Sequence, residues 1–282
     1  MGLRIKTNVV SLTAQRLLDA NNADMSASME KLSSGSRINK SADDAAGLAI
    51  SESLKAKTGG LVQAKRNAND GISLIQTAEG ALNETSNMLV RMRELTVQAA
   101  SDTVGVTERG YLNKEYQELV QEIDRISEST EFNGRKLLGP QSDDNAVSLQ
   151  VGYNGTQNDV LKLKLGDAPN GINADSLNLK ESSIAGEDRE KIAAQLDVLD
   201  VGLTTVANTR ASLGATQSRL NTAISNISTS TENMMSAKSR IHDVDYAEET
   251  AKLTQSRILT QAGLSILSQA NQKPEMALSL LR

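Results

Sequence analysis

The sequence predicts a mainly α-helical protein: an elongated, coiled-coil-like helical bundle with a small β-hairpin region and paired N- and C-terminal helices. Three observations predict it. An apolar seven-residue repeat runs for about 50 residues on the C-terminal side, a helix on the order of 75 Å long. A second repeat of the same period runs through the N-terminal half. Three prolines in 282 residues leave long stretches without helix breakers, and aromatics are only 2%, with no Trp and one Phe. The core must therefore come from Leu, Ile, Val, Ala and Met, the residues of helix–helix packing.

The elements follow in chain order. Residues 3 to about 34 hold an amphipathic stretch with Leu18, Met25 and Leu32 seven apart, and Ala14 and Met29 nearby. Ser41-Ala-Asp-Asp44 reads as a capping box that starts the next helix, with the Ser41 hydroxyl as the cap. That helix carries Leu54, Leu61, Ala68, Ile75, Leu82, Leu89 and Thr96. Three residues on lie Ala64, Gly71, Ala78, Thr85, Met92 and Ala99, small enough for close backbone approach. Ser101–Gly105 breaks it. A third helix places Leu112, Leu119 and Ile126 on one face with Tyr116 and Ile123, and Asn133-Gly134 and Gly139-Pro140 end it.

The period then changes from seven to two. Val147, Leu149, Val151 and Tyr153 alternate with Ser148, Gln150 and Gly152, and Leu161, Leu163 and Leu165 alternate with Lys162 and Lys164. With the polar link between them these segments read as a β-hairpin, and Gly166–Gly171 leads out as loop. The longest repeat follows: Ile192, Leu199, Val206, Leu213, Leu220, Ile227, Met234 and Ile241. Four residues beyond its members, Leu196, Leu203, Arg210, Gln217, Ile224, Thr231 and Lys238 make a mixed companion seam. Finally, residues 246–272 carry Ile258, Ala262, Ile266 and Ala270 at four-residue spacing, before Pro274, Leu278, Leu280 and Leu281. The two ends have thin apolar stripes that cannot hold isolated helices in water. The expected division is residues 1–43 with 242–282 as one discontinuous unit. Residues 44–241 form the bundle, with a hairpin and loop region at about 140–186.

Composition narrows the function classes. The net charge of −5 gives no basic field for nucleic acid or an anionic membrane. Without Cys there are no disulfides, thiolate metal sites or Cys nucleophiles. No apolar run has the length of a signal peptide or a membrane span. His242 is the single His, and His242-Asp243 alone makes neither a zinc site nor a triad, so a structural role is expected. Asp43-Asp44 suits a helix start, Asp143-Asp144 a solvated loop, and Gly35 a turn that cradles no phosphate. Asn83-Glu-Thr85, Asn154-Gly-Thr156 and Asn226-Ile-Ser228 match the N-glycosylation triplet, which arises often by chance. The reading is non-enzymatic, with no cofactor and no metal.

Longer motifs carry a family resemblance. Leu32-Ser-Ser-Gly-Ser-Arg-Ile-Asn39, Ala42-Asp-Asp-Ala-Ala-Gly-Leu-Ala49, Arg66-Asn-Ala-Asn-Asp-Gly-Ile-Ser73 and Gln76-Thr-Ala-Glu-Gly-Ala-Leu-Asn83 closely resemble the bacterial flagellin N-terminus. Ile258-Leu-Thr-Gln-Ala-Gly263, Gln269-Ala-Asn-Gln272 and Leu278-Ser-Leu-Leu-Arg282 resemble the flagellin C-terminus. The resemblance covers roughly residues 1–139 and 187–282. It implies a structural subunit that self-assembles through its terminal helices into the flagellar filament. On these helices Leu18, Met25, Leu32, Ile258, Ala262 and Ile266 are the expected polymerisation residues. Ile75, Leu82, Leu89, Leu199, Leu213, Leu220 and Ile227 are the expected bundle seam.

Only about 47 residues separate the two matching halves, so the variable outer domain of most flagellins is absent or vestigial. The resemblance further implies uncleaved type III export, an export chaperone on the C-terminal segment, and contacts with filament cap and hook-junction proteins. It also implies a location in the extracellular flagellum. Leu89–Gln98 is similar to the segment through which many flagellins meet the animal innate receptor, which implies Arg91, Leu95 and Glu115 as contacts. Arg91 is expected to point away from the seam and Leu95 to lie partly exposed on its flank, and the same patch equally suits a neighbouring subunit. Two other readings compete: a hook–filament junction protein with the same terminal helices, and an enzyme on a helical scaffold.

Overall fold

The computed structural model describes residues 7–139, 147–163, 171–186 and 188–279, with side chains described to residue 272. Among these run five α-helices: α1 (Val9–Ser34), α2 (Ala45–Ala99), α3 (Val106–Ser129), α4 (Arg189–His242) and α5 (Tyr246–Ser279). Two antiparallel hairpins pair β1 (Glu131–Phe132) with β2 (Arg135–Lys136), and β3 (Val147–Gln150) with β4 (Val160–Leu163). The chain forms two compact units, Met1–Thr58 with Glu232–Arg282, and Gly59–Thr231. Asp143-Asp144, Lys164, Leu165 and Gly166–Asn170 lie outside the described residues, as do the side chains of Pro274, Leu278, Leu280 and Leu281.

In the Gly59–Thr231 unit the inward face of α2 follows alternating steps of three and four. Leu61, Ala64, Ala68, Gly71, Ile75, Ala78, Leu82, Thr85, Leu89, Met92, Thr96 and Ala99 are all buried. This spacing keeps one stripe facing a neighbour along a slightly under-wound helix. The neighbour is α4, and its contacts fix an antiparallel pairing. Going up α2, Lys65 Nζ donates to Ser228 Oγ (3.1 Å) and Glu79 meets Arg210 (3.9 Å). Arg93 Nε donates to Asp200 (2.8 Å), and Ala100 O accepts from Arg189 Nε (3.2 Å). Beneath these surface pairs, Ile192, Leu199, Val206, Leu213, Leu220 and Ile227 are buried. Each such side chain contributes roughly 1.5–3 kcal/mol by leaving water.

The companion row of α4 differs from the expected one. The positions four residues on, Leu196 to Lys238, are all only half-buried, whereas Gly202 and Thr209, three residues on, are buried. A search for apolar side chains passes over Gly and Thr, yet both positions turn inward here. At Gly202 the nearest neighbours of an added Cβ would be Leu89 and Leu177, at ordinary contact distance. At Gly71 a Cβ would collide with Leu149 and touch Leu220 Cδ1 at 3.4 Å, so α2, α4 and the β3 strand meet there.

The hairpins seat on this core. In β3–β4, Val147 pairs with Leu163 and Leu149 with Leu161. Val147, Leu161 and Leu163 are buried while Ser148 and Lys162 face solvent, the alternation of a one-sided strand. Asn133 (φ 51°) and Gly134 (φ 76°) form the two-residue turn of β1–β2. This corrects their reading as a mere helix stop: Asn-Gly accepts the two positive φ angles that a tight hairpin turn requires.

Two further differences concern what covers the core. On α3, Tyr116, Val120, Ile123 and Ser127 are buried, while Leu112, Leu119 and Ile126 sit half-buried on its flank. The segment 171–186, expected as loop, buries Ile172, Ala174, Leu177, Leu179 and Ile184. It is tied to α3 by polar contacts: Tyr116 Oη and Ser182 Oγ lie 2.6 Å apart, Gln117 Nε2 donates to Ser182 O, and Ala174 N donates to Asp124. Satisfied polar groups let an irregular backbone sit against a core.

Candidate assembly site on the terminal helices

In the unit made of residues 1–58 and 232–282, α1 and α5 pair antiparallel. Asn8 Nδ2 donates to Ala270 O (2.8 Å), Leu18 lies against Gly263, and Tyr246 Oη donates to Leu32 O (3.3 Å). The start of α1 is capped by Asn8 Oδ1, which accepts from Ser11 N, and its end by Gly35 in the left-handed region (φ 70°). The connector after α1 is then fastened to the one after α4. Arg37 N donates to His242 O (2.7 Å), Val244 N to Gly35 O (3.1 Å), and Arg37 Nη2 to Ile241 O (2.6 Å). His242 supplies its backbone carbonyl to this junction, and its ring is 3.5 Å from Asp243. No group of three His, Cys, Asp or Glu able to hold a metal occurs among the described residues.

The helix after the junction starts differently from the expected capping box. Asp44, not Ser41, is the cap, its Oδ1 accepting from Gly47 N (2.8 Å). Asp43 Oδ2 accepts from Asn39 N and Lys40 N, and the Lys40 amide is the main cause of its carboxyl titrating below the ordinary value.

The seam between α1 and α5 is sparse. On α1 it runs Ser11, Ala14, Leu18, Asn21, Met25, Ser28 and Leu32, again in steps of three and four. Only Ser11, Ala14 and Ser28 are buried, and Leu18, Met25 and Leu32 are half-buried. On α5 the inward positions are Glu249, Leu253, Ser256, Thr260, Gly263, Leu267 and Ala270, a row that the four-residue series through Ile258 meets only at Ala270. Ile258, Ala262 and Ile266 instead face away from α1, with Ile258 63% and Ile266 54% exposed. Leu259 and Leu264 are exposed on other sides of α5, and Val9, Val10, Leu12 and Leu17 are exposed on α1. Apolar side chains thus point in several directions from both helices. Ala247, Ala251, Thr254, Ile258 and Leu259 line a shallow apolar groove along α5. A helix with apolar groups all round is one built to be surrounded. α5 continues through Pro274 to Ser279.

The second predicted patch lies on α2 and α3. Arg91 bridges Glu115 (2.8 Å) and Glu94 (3.0 Å), all three exposed, and the Glu115 bond is the main cause of its guanidinium pKa being raised. Leu95 is 1% exposed, which corrects its expected partial exposure. Leu74, Ala81, Met88 and Leu95 form a second seven-step row on α2, buried or half-buried beside the first. α2 has neighbours on more than one side, and an amphipathic count made for one partner leaves this row outside.

Comparison with known proteins agrees with this architecture. The model of the bacterial flagellin N-terminal helical region matches residues 5–142, and that of the bacterial flagellin C-terminal helical region matches residues 196–281. The chain is 44% identical to the flagellin of Halalkalibacterium halodurans over 281 residues, covering 99% of each. It is 42% identical to the flagellin of Bacillus subtilis over 311 residues, covering 99% of this chain and 100% of that one. A solved flagellar hook-associated protein from Vibrio parahaemolyticus matches with TM-score 0.56 across 71% of this chain and all of the other, at 16% identity. That last likeness is one of fold alone. No helix among the described residues is long and apolar enough to cross a membrane. Matched at both ends and along its whole length, the chain belongs to the bacterial flagellin family and is a structural subunit of the flagellar filament.

Proposed function

We propose that the subunit polymerises through α1 and α5, with residues 1–43 and 242–282 lining the inner tube of the filament and the α2–α3–α4 bundle forming the layer around it. The observation that carries this reading is the set of apolar side chains exposed on several sides of both helices, Ile258 and Ile266 above all. A two-helix pair with so thin a seam buries too little to offset its ordering entropy comfortably, so it is the least stable part of the free subunit. Each neighbour that covers another side of α1 or α5 adds burial of roughly 25 cal/mol per Å². Growth at a filament end is then favoured over pairing in solution. Removing residues 246–282 tests the reading: the truncated chain stays helical and soluble but does not elongate filament seeds under negative-stain microscopy. Normal elongation overturns it.

The same exposed groove on α5 suits an export chaperone that covers it before type III export to the extracellular filament, where cap and hook-junction proteins meet the same ends. On the bundle, the exposed Arg91–Glu115 pair supports contact with the host innate receptor or with a neighbouring subunit. Leu95, at 1% exposure, offers a partner no surface in the free subunit. Arg91→Ala lowers the signal of dissociated subunits in a cell reporter assay if the receptor reading holds, and leaves it unchanged if it does not.

A further inference from the structure

We infer that Asn154 is a site of spontaneous chemical modification, converted to aspartate and isoaspartate in the folded subunit, while the identical Asn133-Gly134 dipeptide is protected. Both asparagines precede glycine and both are exposed, so the dipeptide alone does not separate them. The reaction is intramolecular. The Gly155 backbone nitrogen attacks Cγ of Asn154; the N–Cγ bond forms, the Cγ–Nδ2 bond breaks, and ammonia leaves with the proton lost from the nitrogen. Water then adds to either carbonyl of the five-membered imide, giving aspartate or, through the other opening, isoaspartate. No oxidant or cofactor enters, and the net change is one water in, one ammonia out, one negative charge gained.

The folded chain governs two requirements of this step. First, the asparagine must rotate so that its Cγ meets the next backbone nitrogen. Asn154 lies in the nine-residue link 151–159, outside the paired register of β3 and β4, which closes at Gln150↔Val160. Asn133 is instead the first residue of a two-residue turn, held at φ 51° by the Phe132↔Arg135 pairing, and Leu137 N donates to Thr130 O behind it. Turning it into the attacking geometry breaks that register.

Second, the attacking nitrogen must lose its proton. Gln150 Nε2 donates to Asn154 O at 2.6 Å, and that oxygen belongs to the same peptide unit as the Gly155 nitrogen. A donor on this carbonyl stabilises the negative charge that spreads onto oxygen when the N–H ionises, the same aid an oxyanion hole gives. Gln150 itself is held in the β3 register opposite Val160 and donates also to Gly152 O (3.0 Å). Asn154-Gly-Thr156 also has the form of a glycosylation triplet. In the folded chain, however, the Thr156 hydroxyl is engaged with Asp159 Oδ2 at 2.7 Å. The third Asn–Gly pair begins at Asn170, outside the described residues.

The change should be tolerated. The buried residues of the hairpin, Val147, Leu161 and Leu163, lie in the strands and not in the 151–159 link, so an extra backbone methylene at 154 leaves their packing in place. The test is peptide mapping of full-length subunit incubated at mildly alkaline pH, with isoaspartate quantified at each asparagine by mass spectrometry and methyltransferase labelling. The expected result is isoaspartate at Asn154 at least several-fold above Asn133. Gln150→Leu slows the Asn154 reaction several-fold, with circular dichroism confirming that the variant is folded. Aged subunits still elongate filament seeds. Equal rates at the two sites overturn the inference, as does a glycan mass on Asn154 of the native protein. An unchanged rate in folded Gln150→Leu removes the role given to that side chain.

Discussion

The first helix and the second share the same alternation of three- and four-residue steps, yet they are buried to very different degrees. Along α2, twelve successive inward positions from Leu61 to Ala99 are closed off from solvent. Along α1, Leu18, Met25 and Leu32 keep the same spacing and stay half-exposed, with polar Asn21 and Ser28 between them and Ser11 before. The difference lies in the number of neighbours. Around α2 stand α4 and the β3 strand, and a second row of α2 through Leu74 and Leu95 is buried as well, whereas within its unit α1 is paired with α5. Periodicity marks which face of a helix is apolar; how completely that face is buried depends on how many elements surround it.

Breaking the bundle should have the larger effect on the isolated subunit. Leu220 is fully buried beside Gly71, so Leu220→Asp removes a core side chain and leaves a carboxylate among apolar neighbours. The loss of the leucine alone costs about 2–5 kcal/mol, and the unpaired charge adds to it. Cooperative thermal unfolding should disappear, while Ser218→Asp, on the exposed side of the same helix, should melt like the parent. A normal melt for Leu220→Asp contradicts the α2–α4 register.

The terminal pair should respond in the opposite way. Ile258→Ser with Ile266→Ser alters side chains that are mostly exposed in the single subunit, so the melt should barely move. Covering each isoleucine in a polymer is worth roughly 1.5–3 kcal/mol, so with both replaced the critical concentration for elongation should rise by about a hundredfold or more. Sedimentation of polymer against subunit concentration measures it. Unchanged elongation would show that this side of α5 stays uncovered in the filament.

Two smaller effects sharpen the same contrast. Asp44→Ala removes the side-chain cap of α2 and should lower stability by about 1 kcal/mol, seen as a modest fall in melting temperature. Smaller still is the Arg93–Asp200 pair, which joins exposed positions of α2 and α4. The bond from Arg93 holds the Asp200 carboxyl below its ordinary pKa. Its contribution is therefore present above the ordinary carboxylate range and is lost as the pH falls through the lowered value. Asp200→Asn should melt slightly below the parent at neutral pH, and the two should converge in acid. A gap that persists in acid would show that the asparagine acts through packing and not through charge.

The helices, the hairpin between residues 147 and 163, the seven-step rows from Leu61 on α2 and from Ile192 to Ile227 on α4, and the family were legible in the sequence, because each is written in local spacing or in long contiguous motifs. Packing between elements set the rest. Gly202 and Thr209 became buried positions of α4 although neither carries an apolar side chain that a hydrophobic pattern registers. Leu95 became buried because a helix with several neighbours needs more than one apolar row. Segment 171–186 became part of the core because its apolar residues follow no period and are fixed by polar contacts to α3. Ile258 and Ile266 were legible as a stripe, but not the direction that stripe faces. The sequence spaces residues along one helix, and only the placement of the other helix tells which of two apolar rows it covers.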